Sequence, residues 1–336
     1  MRTAAAVSVN VHGGHLRLAA GACQRGSRAP RLTARLTSRA TEHTMPAAGL
    51  CKTVQSETRT PALEIKGRRR RLREWRERRM PTPEFTTMQY KTEGPLAYIT
   101  LNRPEVLNAM NLAWTKDLTA ICAMLAADKR VKVAVISGAG RAFCSGIDLK
   151  ALSGAGIPLN WFRETEMAFR ALEQLDQFVV CAIHKYCIGG GLQLGLVCDL
   201  RIATDTTQFA LTAVKECLIP GLGTFRLARY IGLGRAKRIA LTGDYFTAQE
   251  AYAMGLLDYL VPEGEFESKV KEVTESCLKI ASEGQRQTKH LLGLAFDLNW
   301  KDFLEEYMVC QEKTLGSEEH REAMAAYREK RDPKFS

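Results

Sequence analysis

Residues 183–199 read IHKYCIGGGLQLGLVCD, and this order of residue types frames the rest of the chain. The apolar run QFVVCAIH (177–184) leads in and reads as a buried strand. Three consecutive glycines, Gly189, Gly190 and Gly191, then open a short apolar helix over 190–198. Glycine has no Cβ, so a ligand can approach this backbone closely. The first amides of a helix lack partners within it and lie at the positive end of its dipole. Such a place suits an oxygen that gains negative charge during a reaction. A glycine run before a helix also serves plain close packing, so this stretch alone leaves both readings open.

Working outward, a second Gly-rich loop, GAGRAFCSGIDLKAL (138–152), directly follows another buried strand, VKVAVISG (131–138). Upstream, MQYKTEG and LAYITLNRP read as short strands joined by a turn at Gly94–Pro95. Residues 111–127 carry Leu112, Leu118, Ile121, Cys122 and Leu125 at helical spacing, and 159–175 read as a further helix. Downstream, DLRIATD, QFALTAV and LDYLVP (257–262) read as strands. Helices are expected over 223–231, 234–241, 247–254, 264–282, 284–295, 299–314 and 317–330. Strands alternating with helices, followed by a helical tail, specify an α/β body with a C-terminal helical extension.

The 336 residues are 46% hydrophobic and 25% charged, an ordinary globular balance. No run approaches the roughly 18–20 apolar residues of a membrane-spanning helix. The net charge of +11 is unevenly placed: residues 1–80 hold 18 Lys and Arg against 5 Asp and Glu, a net of +13, and the remainder holds 30 against 32, a net of −2. A nucleic-acid function for the whole chain therefore loses its electrostatic basis. The ten cysteines form no C-x-x-C pair and no Cys/His cluster at zinc spacing, so they read as free thiols in a reducing compartment, with no metal site.

The chain divides into a basic N-terminal extension, 1–87, and a body, 88–336, whose part 263–336 is helical. Residues 1–40 contain no Asp or Glu and have transit-segment composition, while 68–79, RRRRLREWRERR, form a dense basic run. A targeting segment, an RNA-binding or anionic-surface arm, and translation starting at Met80 or Met88 all remain open. The extension has no periodicity that would build a core and is expected to be disordered. The expected location is cytoplasmic, or the mitochondrial matrix if residues 1–40 are a transit segment.

Taken together, the glycine stretches and several ordered segments resemble the crotonase family of enoyl-CoA hydratases and isomerases. The resemblance runs through LNRPEVLNAMN (101–111), the RAFCSGIDLK loop, CIGGGLQLGLVCDLRIA, FALTAVKECLIPGLG (209–223), LTGDYFTAQEAYAMGLLDYLVP (241–262) and EHREAMAAYREKRDPKF (319–335). It implies a spiral of ββα turns with a C-terminal helical trimerisation region, and homotrimers or hexamers. It implies an acyl-CoA substrate whose coenzyme A is part of the substrate, with no separate cofactor. The N–H groups of Ile147 and Gly190 would form the oxyanion hole. Ala109, Asp148, Leu149 and Lys150 would line the coenzyme A path, and Trp161, Phe162 and Met167 would lie near the acyl chain.

The chain departs from that family at both usual catalytic carboxylates, where Gln193 and Ala213 stand instead. Neither exchanges a proton near neutral pH. Glu216, three residues past Ala213, is the candidate replacement, with a surface carboxylate, either paired to Lys215 or solvated, as the alternative. Glu164 and Glu166 sit on the helix over the acyl pocket, where either could face the site and a solvated helix face is the commoner outcome, and His184 is expected within the strand layer. Loss of CO₂ from a malonyl-type thioester, with Gln193 orienting the carboxylate, and non-catalytic acyl-CoA binding are the other readings. The chain contains no G-x-S-x-G and no G-x-G-x-x-G, so serine peptidase and dinucleotide chemistry have no support.

Overall fold

A computed structural model describes residues 84–154 and 156–335. The proposed transit segment, the basic run 68–79 and the start at Met80 lie outside the described residues.

The main sheet has six strands in the order β1 (Met88–Glu93), β2 (Leu96–Leu101), β3 (Val133–Gly138), β4 (Phe178–Ile183), β6 (Leu200–Thr204) and β9 (Tyr259–Val261). Strands β1 and β2 form an antiparallel hairpin, with Glu93 opposite Leu96 across the two-residue Gly94–Pro95 turn. The other pairings are parallel, each reached through a crossover, and strands such as VAVISG and FVVCAI are apolar because both their faces are covered. The body extends back beyond Met88: the amides of Thr86 and Thr87 donate to Asp117 Oδ2 at 3.0 and 2.8 Å.

Helix α1 (Leu112–Ala127) starts where Asn111 Oδ1 accepts from Trp114 N at 2.9 Å. It buries Trp114, Leu118, Ile121 and Leu125 in the core. Trp114 meets Phe169 of α3 (Leu159–Glu173) edge to face, with centroids 6.0 Å apart. Between these helices in sequence lies the single turn α2 (Leu149–Ser153).

The expected strand 177–184 ends at Ile183, and the chain then leaves the main sheet. Lys185 adopts φ +56°, and Tyr186–Ile188 becomes β5 of a second, three-stranded sheet with β7 (Gln208–Ala210) and β8 (Phe246–Thr247). The stacked Phe209 and Phe246 rings, 5.6 Å apart, tie this sheet to the core. That exit carries the three glycines away from the large sheet and into α4 (Gly190–Leu196). Six further segments complete the body: 3-10 turns Pro104–Val106 and Thr212–Glu216, helices α5 (Gly223–Ile231), α6 (Leu233–Thr242) and α7 (Ala248–Ala253), and a 3-10 turn Glu263–Glu265. Helices α8 (Phe266–Leu278), α9 (Ser282–Leu294), α10 (Trp300–Leu315) and α11 (Glu318–Glu329) form the helical C-terminal part. Among the described residues no helix is long and apolar enough to cross a membrane.

Candidate active site

One wall of a cavity of about 130 Å³ is backbone. The loop after β3 is folded tightly by Asn108, whose Nδ2 donates to Ala139 O at 2.9 Å and Ala142 O at 2.8 Å. It then runs beside β5: Cys144 N donates to Tyr186 O at 3.0 Å, and Ile188 N to Cys144 O at 2.9 Å. Gly191 packs so closely here that a Cβ on it would stand 2.5 Å from Cys144 O. Past Gly146 the loop exchanges bonds with Met110, from Met110 N to Gly146 O and from Asp148 N to Met110 O. These bonds use the groups on either side of Ile147 and leave its own N–H without an acceptor among the described residues. Gly190 is in the same position: Gly189 N donates to Ala210 O at 2.8 Å, while Gly190 N opens the helix with no protein acceptor among the described residues. Both residues line the cavity, and a Cβ on Gly146 would lie 3.3 Å from Gly190 N.

The facing wall is made of side chains. Met110, Leu149, Trp161, Phe162, Phe169 and Ile219 give it an apolar lining. Four other lining positions bear on its chemistry: Gln193, Ala213, Glu216 and Glu166. Gln193 is nearly buried, and its Oε1 accepts from Gly223 N at 3.3 Å. Its Nε2 has no acceptor among the described residues. Glu216 is exposed at the end of the Thr212–Glu216 turn, with no hydrogen-bond or ion-pair partner among the described residues. Lys215 reaches Asp244 instead, at 3.8 Å.

Of the two placements open to Glu166, the site and a solvated helix face, the structure has it at the site. Its Oε1 accepts from Leu222 N at 2.7 Å, and Arg226 Nη1 donates to its Oε2 at 3.0 Å. The buried Arg226 is held from its other side by Glu173, at 3.2 Å. Glu164 does lie on the exposed face, bonded to Asn160 Nδ2 at 2.6 Å. The signal for Glu166 was present in the helical period: Phe162, Glu166 and Phe169 are spaced i, i+4 and i+7, on one face.

Of the residues read from the sequence, Ile147, Gly190, Gln193, Glu216, Leu149, Trp161 and Phe162 all line this cavity. Ala109, Asp148 and Lys150 do not. Ala109 is buried, and its carbonyl accepts from Arg103 Nη1 at 2.6 Å. Lys150 is exposed. Asp148 caps α2 through its Oδ1 and pairs with Arg103 Nη2 at 2.9 Å. Burial pushes the Asp148 carboxyl up, but the Arg103 guanidinium and the amides of Ala151 and Lys150 outweigh it and hold it below the usual range. Met167 was expected near the acyl chain, yet it is 64% exposed and absent from the lining, because it falls on the opposite side of α3. His184 bonds to Gly140 O at 3.0 Å, and it too is absent from the cavity lining.

Cys144 is no nucleophile: burial pushes its thiol up to about 12, far from a thiolate at neutral pH. The eight cysteines of the described residues are all unpaired. One group among the described residues has metal-ligand chemistry, His290, Glu306 and Cys310, with ligand atoms within 4.8 Å of one another. It sits on α9 and α10, and Glu306 is already bonded to His290 at 2.8 Å.

A family profile described as enoyl-CoA hydratase/isomerase matches residues 91–336. The (E)-benzylidenesuccinyl-CoA hydratase of Thauera aromatica is 32% identical over 244 residues, covering 71% of this chain and 95% of that protein. The crystal structure of enoyl-CoA hydratase from Bacillus anthracis superposes with a TM-score of 0.71 at 30% identity, over 74% of this chain and 99% of that one. A Thermobifida fusca YX protein solved in complex with CoA superposes with a TM-score of 0.64 at 29% identity, over 68% of this chain and 93% of that one.

Proposed function

We propose a reaction on the premise, now established, that this chain belongs to the enoyl-CoA hydratase/isomerase family, with the crotonase fold. It is an enzyme of hydratase/isomerase type. In our reading an acyl-CoA thioester places its carbonyl oxygen between the N–H groups of Ile147 and Gly190. Both water addition at the β-carbon and proton removal at the α-carbon move an electron pair onto that oxygen as an enolate. Two fixed amide donors stabilise the charge where it develops, and a single donor of this kind is typically worth about 10²–10³-fold in rate.

Glu216 carries the proton. For a 2-enoyl thioester, the water oxygen bonds to the β-carbon and the C=C pair shifts to form the enolate. The water proton passes to the Glu216 carboxylate. The same group then returns a proton to the α-carbon, giving the 3-hydroxyacyl thioester. One carboxylate used twice does the work for which Gln193 and Ala213 have no titrating group. The observation that carries this reading is the convergence of two unpartnered amides and the unpartnered Glu216 carboxylate on one cavity.

The coenzyme A moiety runs past Leu149, with the Lys150 ammonium offered to its phosphates and Asp148 and Ala109 acting as supports through Arg103. No separate cofactor enters this scheme. Decarboxylation of a malonyl-type thioester is the weaker reading, because the substrate carboxylate would face both Glu166 and Glu216. A trimer or hexamer is supported by the exposed Leu292, Phe296 and Trp300 on and beside the C-terminal helices. The test of function is hydration of a short 2-enoyl-CoA, read as loss of the conjugated thioester absorbance. A folded protein that neither hydrates it nor exchanges the α-proton of a saturated acyl-CoA would sink the proposal.

A further inference from the structure

We infer that Glu166, presented from α3, is a further catalytic residue: with Gln193 it holds the water that adds to the acyl β-carbon, or the hydroxyl that leaves it. The inference rests on the acyl-CoA reading above and narrows it to hydration and dehydration.

Bound water needs a donor and an acceptor at one place. The Gly221–Gly223 turn provides that arrangement by binding both side chains. Gly223 N takes up Gln193 Oε1, so the orientation of the amide is set and its Nε2–H₂ is the end left to donate. Leu222 N and Arg226 occupy one site on each Glu166 oxygen, and a carboxylate has further lone pairs with which to accept. The two groups sit side by side. A Cβ on Gly221, which has φ +45°, would collide with Glu166 Oε1 and would stand 2.6 Å from Gln193 Oε1. A side chain at 221 would therefore displace both groups, which gives this glycine a role beyond its turn.

The two carboxylates of the cavity thus have different surroundings and different tasks. Glu166 is held at both oxygens, by a backbone amide and by a buried guanidinium, which fixes an acceptor in place. Glu216 has no protein partner among the described residues and is free to take and return a proton. The water oxygen accepts from Gln193 Nε2–H and donates one hydrogen to Glu166. As the oxygen bonds to the β-carbon, the other proton passes to Glu216 and from there to the α-carbon, so that H and OH add in full. An isomerase needs no such water site, because it only moves a proton between carbons.

The experiment compares two reactions of the full chain. Hydration of a 2-enoyl-CoA needs the water site. Exchange of the α-proton of a saturated acyl-CoA in deuterium oxide forms the same enolate without adding water. Glu166→Gln is expected to lower kcat for hydration at least about tenfold more than it lowers exchange, with KM little changed. Glu166→Asp keeps the charge opposite Arg226 and is expected to fall between wild type and Glu166→Gln, which guards against a loss caused by unfolding. Equal loss in the two reactions, or undiminished hydration by Glu166→Gln, would overturn the inference while leaving the acyl-CoA reading intact. A wild-type protein that performs neither reaction would instead remove that reading itself.

Discussion

The cavity has two walls of different construction. The carbonyl wall is main chain, supplied by residues 145–147 and 189–190, and next to it Gly191 is wedged against Cys144 at a separation no side chain fits. The proton wall is side chains from three separate elements: Gln193 on α4, Glu166 on α3 and Glu216 at the end of the 212–216 turn. The first wall is fixed by the fold, because its amides are placed by strand pairing and close glycine packing. The second can change residue by residue without disturbing any strand. Departures from a family's usual chemistry are therefore expected on the second wall, and Gln193 and Ala213 both stand there.

The largest expected effect comes from the side-chain wall. Glu216→Gln should lower hydration by about 10²–10⁴-fold, the usual range for a lost acid–base group, with circular dichroism and melting temperature unchanged. A change on the rigid wall should appear first as lost stability. Gly191→Ala adds a methyl group against main chain that cannot move aside, at a cost of about 1–3 kcal/mol, measurable by urea denaturation. A Gly191→Ala protein as stable as wild type would show that the wall is softer than its packing indicates.

Asp148→Asn tests the link between the walls and the Arg103 support, with an expected loss of roughly 1 kcal/mol. The sign with pH follows from the Asp148 carboxyl being held below its ordinary value. Its contribution is fully present above the unfolded carboxyl value of about 3.9 and is lost as pH falls through the lower folded value. The stability gap between wild type and Asp148→Asn should thus be open at neutral pH and close in acid. The smallest effect is expected for Glu164→Gln, two residues from Glu166 but on the exposed face. Its hydration rate should match wild type, and its stability should stay within about 0.5 kcal/mol. A rate loss equal to that of Glu166→Gln would erase the distinction between the two faces of α3.

The carbonyl wall was legible from the sequence because its signals are local. Glycine runs beside apolar strands mark close backbone approach whatever the rest of the chain does. The element order was legible for the same reason, through hydrophobic periodicity. The break at Lys185 was not, since a left-handed lysine carries no compositional mark and the apolar run continues on both sides. The proton wall depended on distant pairings. Whether Glu166 faces solvent or the cavity turns on Leu222 and Arg226, 56 and 60 residues away. Met167 was placed near the acyl chain by the resemblance alone, and its position on the exposed face of α3 shows only once the packing of that helix is known.

The most direct test of the account is the hydration of a short 2-enoyl-CoA by the full chain and by Glu216→Gln under the same conditions. The account predicts rapid loss of the conjugated thioester absorbance with the wild type and a rate about 10²–10⁴-fold lower with the variant. A folded wild type that leaves the absorbance unchanged, or a Glu216→Gln protein as fast as wild type, would contradict it.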